Sequence, residues 1–500
     1  MELNQIYVVN PQYFLKTDIN RIIFCNRSLK KTKPQNISDD YIAFIHPLQA
    51  IMLSYFDGKM NLGQIIDRIS GDFHLSNSKT QNLLVKYVEN PQEFCISDGK
   101  NDFYFPKKVL IKSERAGKYF TYNPKDFCLS APDLDFSTSR LNKPLDILLI
   151  TNMNCYTNCI YCYADRKHEY KPLALSKIYD IIDEAKSLRL REFDVNGGEF
   201  LLYPHWDKIL ERMYICGYSP FISTKVPLSA STIKKLNYLG IDSLQISLDS
   251  VIADELSSLL KVKSDYKTNI INSLKELDKQ NIDIYTNSII TRYNDSHKGI
   301  IMLLNFLTSL KNIKQINLSA AGYSMYIAKN EYNKLKSKEE DLKRINGLVN
   351  EYALKNPGIE INFGSYITNE EINGDRAIKK ELFNARSFCT ANNTGLIILP
   401  DGQVTICEEL YWNKHFIVGD INNSGIIDLW NSERAIELFK FNQSKMSNET
   451  YCRECSEIEE CTKKTRCWKM VLMAYGQEKW DNPDPRCPYA PVVENEIYHT

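Results

Sequence analysis

The sequence feature that most constrains this chain is a run of three cysteines within eight residues: Cys155, Cys159 and Cys162. Folding alone gives little reason to place three thiols so close together. The run directly follows residues 145–151, a short and mostly apolar stretch of the kind that forms a buried parallel strand. The sequence therefore predicts a thiolate site in a loop at the carboxyl end of a strand.

The composition of the chain limits the kinds of site that these thiols can form. The chain has 500 residues, 14 cysteines and 7 histidines, and lysine plus arginine equals aspartate plus glutamate at 62 each. This charge balance gives no sign of a nucleic-acid partner. The first residues lack a signal-peptide pattern, and no run reaches the roughly 18 apolar residues of a membrane helix, so we expect a cytoplasmic protein with no membrane partner. Thiols stay reduced in that compartment, which favours iron–sulfur clusters or structural zinc over disulfides.

Periodicity after residue 144 predicts an α/β fold. Strand-like runs occur at 145–151, 192–195, 220–224, 243–248, 284–290 and 315–318, and helical patterns between them at 176–188, 204–216, 230–239, 266–280 and 299–310. This alternation predicts a parallel sheet closed into a partial (β/α)6 barrel over residues 145–328. Its chemistry is expected at the carboxyl ends of the strands.

The cysteine loop supplies three thiolates rather than four, which suits a four-iron cluster with one iron left open. In this the chain resembles the radical S-adenosylmethionine (SAM) superfamily. The resemblance implies that Cys155, Cys159 and Cys162 hold a [4Fe–4S] cluster whose open iron binds SAM, with Tyr161 as the expected aromatic residue before the last ligand. It also implies that SAM is cleaved to a 5'-deoxyadenosyl radical, which abstracts hydrogen from the substrate.

A second loop, Gly197, Gly198 and Glu199, follows the next predicted strand. Two residues without Cβ let the backbone approach a ligand, and a carboxylate accepts a hydrogen bond from an ammonium group. The triplet resembles the superfamily's Gly-Gly-Glu element, which implies contact with the SAM amino group. The family usually continues with proline, where this chain has Phe200, and this difference affects the stiffness of the loop.

Two further points leave alternatives open. Ser247 and Asp249, at another strand end, are candidates for hydrogen bonds to the SAM ribose, or else they cap a helix. A zinc site at the three-cysteine loop would need a fourth ligand and would give a colourless protein. The remaining cysteines lie among apolar neighbours and are expected to be buried, inert thiols: Cys25, Cys95, Cys128 and Cys216.

The C-terminal part of the sequence carries seven more cysteines in 99 residues: Cys389, Cys407, Cys452, Cys455, Cys461, Cys467 and Cys487. Their order resembles the SPASM extension of radical SAM peptide maturases. The resemblance implies two auxiliary [4Fe–4S] clusters and hence three clusters in all, with one auxiliary cluster held by Cys452, Cys455, Cys461 and Cys487 and the other by Cys389, Cys407 and Cys467. The alternative for the whole set is structural zinc.

The spacing departs from the family in two places. Five residues separate Cys461 from Cys467 where three are common, and residues 390–395 contain no additional cysteine. We therefore expect an open iron at the second cluster, which binds a substrate thiolate or amide directly or is filled by water or a nearby residue. Glu408, next to Cys407, is a candidate base for a proton lost during bond formation, and a solvated acidic pair with Glu409 is the alternative.

Residues 1–120 predict a small winged-helix-like domain, with strands near 21–25, 94–96 and 103–111 and helices near 47–56, 61–69 and 79–88. Asn61 is the expected N-cap of the second helix. The region resembles PqqD-like leader-recognition domains, which implies that a leader peptide pairs with a sheet edge. A linker at 121–144, a bridging helical region at 329–387 and a SPASM domain at 388–500 complete the predicted domains.

Together these features predict a cytoplasmic radical SAM/SPASM enzyme that installs a modification, a thioether or a carbon–carbon crosslink, in a ribosomally synthesised precursor peptide. Reduced ferredoxin or flavodoxin is the expected electron donor. The alternatives are a sulfatase-maturing (formylglycine-forming) oxidase, a peptide epimerase, and a non-catalytic protein that binds iron–sulfur clusters or zinc.

Overall fold

The computed structural model describes residues 2–27, 41–117, 119–364, 372–386, 389–463 and 466–493. The chain forms two compact units, Met1–Lys143 and Pro144–Thr500. Within the described ranges, no helix combines the length and the apolar character that crossing a bilayer requires. Parts of the predicted bridging region (365–371 and 387) and of the predicted C-terminal domain (388, 464–465 and 494–500) lie outside the described residues.

The first unit combines antiparallel strands with short helices. Its elements are β1 (Tyr7–Val9), β2 (Tyr13–Thr17), β3 (Ile22–Asn26), β4 (Ile42–Ile45), α1 (Pro47–Ser54), α2 (Leu62–Asp72), α3 (Asn77–Leu84), β5 (Phe94–Ser97), β6 (Asp102–Phe105), β7 (Leu110–Lys112) and α4 (Ser113–Ala116). Strands β2, β3 and β4 form one sheet, β5 pairs with β6, and β1 pairs with β7. Asn61 caps α2 as predicted, since its side chain accepts a hydrogen bond from the Gln64 backbone N–H at 3.0 Å.

The predicted boundary at residue 120 is too early, because the first unit extends to Lys143. The backbone N–H groups of Asn142 and Lys143 donate to the buried Asp18 carboxylate at 3.1 and 3.0 Å. Nearer the start of the segment, the Tyr122 hydroxyl accepts a hydrogen bond from the Leu15 N–H at 3.3 Å. The segment predicted as a linker is therefore irregular backbone packed on the first unit.

The second unit contains the predicted alternation of strands and helices, followed by a C-terminal region of short elements. Its elements are β8 (Asp146–Ile150), α5 (Leu175–Ser187), β9 (Glu192–Asn196), α6 (Trp206–Cys216), β10 (Ile222–Thr224), α7 (Ala230–Tyr238), β11 (Ser243–Ser247), α8 (Ala253–Leu260), α9 (Tyr266–Lys279), β12 (Asp283–Ile290), α10 (His297–Thr308), β13 (Ile313–Ala320), α11 (Lys329–Leu335), α12 (Glu339–Lys355), β14 (Glu360–Gly364), α13 (Arg376–Ala385), β15 (Gly395–Ile398), β16 (Gln403–Thr405), β17 (Ile417–Asp420), α14 (Ile426–Trp430), α15 (Glu433–Lys440), α16 (Ile458–Lys463) and α17 (Trp468–Tyr475). The α/β fold class is confirmed: β8 and β9 pair in parallel in one sheet, β10 to β13 pair in parallel in a second sheet, and helices lie between the strands in the sequence.

The register of β8 and β9 positions the two loops that the sequence singles out. Ile150, the last residue of β8, pairs in parallel with Asn196, the last residue of β9. The chain therefore leaves both strands at the same edge of the sheet, where the loop of Cys155 and the glycines from Gly197 onward meet. The apolar side chains of β8 hold this edge in place, since Leu149 is fully buried.

Two of the strands that the sequence did not predict extend the parallel sheets. β14 pairs in parallel with β13 in a region expected to be helical, although the helical pair before it, α11 and α12, has the expected place. β15 pairs in parallel with β8, so the C-terminal region shares a sheet with the first barrel strand. The predicted separate domain at 388–500 is thus part of the same compact unit, because a strand from it completes the order β17-β16-β15-β8-β9.

Candidate functional site

A cavity of about 550 Å³ lies where the barrel strands end in the second unit. Its volume falls in the range of about 300 to 1,000 Å³ that is usual for small-molecule sites. All three cysteines of the loop line it, together with the Gly-Gly-Glu triplet and residues that follow β10 to β13. Its wall also includes Glu408, Glu409, Tyr411 and Lys469 from the C-terminal region.

The loop with Cys155, Cys159 and Cys162 is fixed to the end of α8. The backbone N–H of Asn158 donates to the Leu260 carbonyl at 2.8 Å, and the N–H of Ile160 donates to the Leu259 carbonyl at 3.0 Å. Burial raises the pKa of Cys155 to about 12 and also raises the pKa of Cys162. Thiolates in such surroundings require a stabilising cation, which is what the iron atoms of a cluster provide.

The glycines are required for a different reason from the one predicted. A Cβ on Gly197 would lie 2.7 Å from the Asn152 carbonyl oxygen, and one on Gly198 would lie 2.5 Å from the Met153 carbonyl oxygen. The Gly198 N–H also donates to the Asn152 carbonyl at 2.7 Å. The contact that excludes a side chain here is therefore with the backbone that leads into the cysteine loop.

Glu199 is buried at the cavity wall. Its Oε2 accepts a hydrogen bond from the Lys225 backbone N–H at 3.1 Å, and its Oε1 accepts one from the Leu201 N–H at 3.3 Å. Burial raises the pKa of this carboxyl group. The Thr224 side chain also hydrogen-bonds to this carboxylate, so one of its four acceptor sites is left for a bound ammonium group.

Beside the cysteine loop, Tyr161, Lys225 and Asp249 form a buried polar cluster. The Lys225 ammonium donates to the Tyr161 hydroxyl at 3.0 Å and to Asp249 Oδ2 at 3.1 Å, and the Tyr161 hydroxyl itself donates to Asp249. Asp249 Oδ1 accepts from the Ile289 N–H at 2.8 Å. This cluster holds the aromatic ring of Tyr161 next to Cys162.

The two candidates for ribose binding therefore differ. Ser247 lines the cavity, whereas the carboxylate of Asp249 is fully buried and engaged by its three partners. Neither side chain caps α8, whose N-cap is Ile252 without a side-chain hydrogen bond. Ribose contact by Ser247 stays a prediction, and Asp249 acts in the structure on Tyr161 and Lys225.

Sequence reasoning missed Lys225 and a layer of polar side chains that line the cavity. The layer consists of Asn196, Ser223, Gln245, Asn287, Asn317 and Ser319, which lie on strands β9 to β13. The Gln245 side-chain amide donates to the Ser223 hydroxyl at 2.8 Å, and the Asn317 side-chain amide donates to Oδ1 of Asn287 at 3.4 Å. The sequence feature that could have predicted this layer is an amide or hydroxyl side chain within each otherwise apolar strand, because a buried polar group needs a hydrogen-bond partner or a ligand.

Glu408 and Glu409 do not form the solvated acidic pair that was the alternative for Glu408. Both are partly buried and line the cavity, and Glu409 is paired with Lys469 at 2.6 Å. Burial and the neighbouring Glu409 carboxylate raise the pKa of Glu408. Glu408 is therefore an acidic group in the cavity, and its Oε2 accepts a hydrogen bond from the Asn196 side-chain amide at 3.5 Å.

Electrostatic interactions link the C-terminal cysteines in two sets. Cys452, Cys461 and Cys487 are close enough that, after burial, each thiolate charge contributes to raising the pKa of Cys487. Burial raises the pKa of Cys407, and the thiolate charges of Cys467 and Cys389 raise it further. For Cys452, burial raises the pKa and the guanidinium of Arg466 is the largest opposing influence. The ligand sets themselves stay predictions.

Asp484 is the buried carboxylate beside the group of Cys389, Cys407 and Cys467. It accepts hydrogen bonds from the Cys467 N–H at 3.1 Å, from the Arg486 N–H at 3.0 Å and from two guanidinium nitrogens of Arg486 at 2.8 Å. Although burial opposes it, Arg486 holds the pKa of Asp484 at about 2. These four bonds use the acceptor capacity of the carboxylate, so Asp484 does not offer a fourth ligand.

Among the described residues, no three His, Cys, Asp or Glu side chains converge on the position of a single metal ion. A cubane does not need such convergence, because each thiolate binds a different iron atom. The donors around both sites are thiols with pKa values raised by burial, for example about 12 for Cys467 and for Cys487. This donor set fits iron–sulfur clusters, and the polar cavity with Glu199 fits SAM.

Comparison with known proteins agrees with this chemistry. The model of the radical SAM superfamily matches residues 149–307, and the SPASM model, described as an iron-sulfur cluster-binding domain, matches residues 389–456. The first match includes the three-cysteine loop and the Gly-Gly-Glu triplet, and the second includes Cys389, Cys407, Cys452 and Cys455. The domains bind SAM and [4Fe–4S] clusters.

Among curated proteins, a probable GTP 3',8-cyclase of Pyrobaculum aerophilum is 21% identical over 183 residues. The match covers 35% of this chain and 59% of the length of that relative. Among solved structures, Streptococcus suis SuiB bound to S-adenosylmethionine has a TM-score of 0.62 at 14% identity, covering 97% of this chain and all of that chain. SuiB bound to its precursor peptide SuiA has a TM-score of 0.58 at 16% identity, covering 98% and 100%. These likenesses show a shared fold.

Proposed function

We propose that this radical SAM enzyme of the SPASM subfamily installs a crosslink, a thioether or a carbon–carbon bond, in a ribosomally synthesised precursor peptide. The observation that carries the proposal is the shared cavity. Its wall joins Cys155, Cys159 and Cys162 to Glu408 and to other side chains of the C-terminal region. A substrate in this cavity would contact groups from both parts of the second unit at once.

When bound, SAM with its [4Fe–4S] cluster supplies hydrogen-atom abstraction from an unactivated carbon, and auxiliary clusters supply one-electron redox chemistry. The three thiolates of the loop would hold the first cluster. Glu199 would accept a hydrogen bond from the SAM ammonium group, and Ser247 would contact the ribose. The buried cluster of Lys225 and Asp249 would keep Tyr161 against the ligand loop.

Glu408 would act as the general base. Crosslinking two peptide groups removes two hydrogens and two electrons. One hydrogen would leave as an atom taken by the radical derived from SAM. The other would leave as a proton from the attacking group, a thiol for a thioether, and the remaining electron would pass to an auxiliary cluster. Glu408 is suited to accept that proton because its pKa is raised by burial and by Glu409, while Glu409 itself is paired with Lys469. A base whose pKa lies closer to neutral transfers protons more effectively in both directions.

A peptide substrate is supported by the fold that this chain shares with SuiB, which was solved with its precursor peptide. The first unit adds an apolar cavity of about 330 Å³, lined by side chains that include Leu48, Met52, Phe73, Leu83 and Phe103. Such a cavity would receive apolar side chains of a leader peptide, while backbone pairing at a strand edge would supply affinity. Reduced ferredoxin or flavodoxin would supply the electrons.

The test is anaerobic co-expression of the chain with each short peptide encoded in the reading frames that neighbour its gene, followed by mass spectrometry of the peptide. A crosslink lowers the mass by two hydrogens and leaves a ring that resists fragmentation. An unchanged mass with an inverted α-carbon would instead indicate an epimerase. A new aldehyde in a sulfatase would indicate the formylglycine-forming alternative, and a colourless protein with bound zinc would contradict the enzyme proposal. Cys159→Ala is the inactive control.

A further inference from the structure

Arg466 is a buried cation beside the proposed four-cysteine group of the second unit. It is only 6% exposed, and its Nη2 lies 3.7 Å from the sulfur of Cys452, which is equally buried. Its Nη1 donates to the Asn482 carbonyl oxygen at 2.9 Å. Arg466 also lines a small cavity of about 20 Å³ together with Cys461. One guanidinium therefore lies next to two of the four cysteines.

Aromatic rings hold this guanidinium in place. Its central carbon lies 3.3 Å from the centre of the Phe441 ring and 4.8 Å from that of Trp468. Both rings are buried. A cation stacked in this way has few alternative rotamers, and the low dielectric constant around it strengthens its effect on nearby charges.

Arg466 differs from Arg486, another buried arginine near the C-terminal cysteines, because Arg486 forms an ion pair with Asp484 at 2.8 Å. For Arg466, the polar partners within the described residues are the Asn482 carbonyl and the Cys452 sulfur, and no carboxylate pairs with it. A nearby negative charge stabilises a buried cation. The thiolates of an iron–sulfur cluster would supply that counter-charge.

We propose that Arg466 is a positioning residue that raises the reduction potential of the auxiliary cluster held by Cys452, Cys455, Cys461 and Cys487. This rests on the ligand set within the proposed function. On reduction the cluster gains one electron and no proton, so its negative charge increases by one. A fixed positive charge and an N–H bond to a ligand sulfur stabilise the more negative state. The cluster beside Arg466 is thereby made the better electron acceptor.

The test is a redox titration of the anaerobically purified full-length enzyme, with dithionite as reductant and electron paramagnetic resonance as readout. Arg466→Gln keeps an N–H donor but removes the charge, so we expect reduction of one cluster signal to become about tenfold less favourable, a shift of about 59 mV for one electron. Arg466→Lys keeps the charge and should shift the potential less. Unchanged potentials in both variants would overturn the proposal.

Two controls keep the outcome interpretable. Arg434→Gln removes a partly buried arginine that stacks near Trp480 and pairs with Glu437, so it should leave every potential unchanged. Cys452→Ala should remove the signal that Arg466→Gln shifts. If Cys452→Ala keeps the wild-type iron content and spectrum, the ligand set and this proposal are both wrong. Peptide modification by the wild-type enzyme, followed by mass spectrometry, tests the proposed function separately.

Discussion

At the scale of single residues, the acid–base chemistry of the cavity depends on which carboxylates form an ion pair with a lysine. Glu409 is paired with Lys469, and Asp249 with Lys225. Glu408 also lines the cavity but pairs with no cation among the described residues, and its pKa is raised by burial and by Glu409. Among the carboxylates at the cavity wall, it is the one best placed to exchange a proton with a substrate.

The expected consequence is that Glu408→Gln lowers the rate of peptide modification by about 100-fold or more, as the loss of a general base does. Glutamine keeps the size of the side chain, so the binding of SAM should be unchanged. The comparison is single-turnover modification measured by mass spectrometry, with Glu409→Gln as the matched control. A rate equal to that of the wild type would remove Glu408 from the mechanism.

The pH dependence has a definite sign. A base works in its deprotonated form, so the wild-type rate should fall as the pH drops through the pKa of Glu408. Because that pKa is raised, the fall should begin at a higher pH than for an ordinary glutamate. In Glu408→Gln this part of the rate profile should disappear. A profile with the same acidic limb in both proteins would assign it to another group.

Lys225 and Asp249 form the ion pair that supports Tyr161. Replacing Lys225 by methionine leaves the fully buried Asp249 carboxylate without its cation, and breaking a buried pair in this way costs about 3 to 5 kcal/mol. We expect a lower free energy of unfolding, measured in denaturant, with recovery in the double variant Lys225→Met with Asp249→Asn. The surface pair of Lys355 and Glu351 offers a control, since Lys355→Met should change stability little.

At the scale of elements, the parallel pairing of β8 and β9 brings two loops together. Gly197 and Gly198 leave β9 against the backbone of Asn152 and Met153, which leads into the cysteine loop. The triplet and the cysteines are therefore one packed structure. Each loop is positioned by the other before any cofactor binds.

This packing makes Gly198→Ala costly. Its Cβ would lie 2.5 Å from the Met153 carbonyl oxygen, which is backbone and cannot rotate away. Such overpacking costs about 1 to 3 kcal/mol, so the free energy of unfolding should decrease by that amount. Gly347→Ala, in α12 with open space around its Cβ, should instead stabilise the protein by about 0.5 to 1 kcal/mol. Equal effects at both positions would contradict the packing argument.

At the scale of the whole molecule, the C-terminal region is built into the second unit through β15, which lies beside β8. This pairing explains why Glu408 and Lys469, far along the sequence, line the same cavity as Cys155. The first unit is a separate body that ends at Lys143. Its final segment is fixed by the Asp18 carboxylate and by Arg21, which donates to the Thr138 and Arg140 carbonyls.

The boundary can be tested by truncation. A fragment of residues 1–143 keeps the partners of Asp18 and Arg21, whereas a fragment of 1–120 leaves that buried ion pair without them. We expect the longer fragment to unfold cooperatively at a clearly higher temperature in a calorimetric scan. Identical transitions for both fragments would show that residues 121–143 contribute nothing to the first unit.

Two expectations from the sequence are wrong because they depend on which strand face is covered and on which strands pair, and both are set by tertiary structure. Cys95 and Cys128 were expected to be buried, yet both are exposed. Cys95 lies on β5, where alternate side chains point outward, and a four-residue strand is too short for its pattern to tell which face is covered. The strand β14 was missed because its pairing with β13 depends on a neighbour in the sheet rather than on its own residues.

The sequence by itself determined the three-cysteine loop, the Gly-Gly-Glu triplet and the alternation of strands and helices, because spacing and periodicity are local properties of a chain. Tertiary structure decided which side chains share a cavity: it brought Lys225 to Tyr161, covered Asp249, and set Glu408 opposite the cysteines. It also placed Arg466 against Cys452. These contacts depend on strand order and on β15 joining β8, which are long-range pairings that residue spacing does not encode.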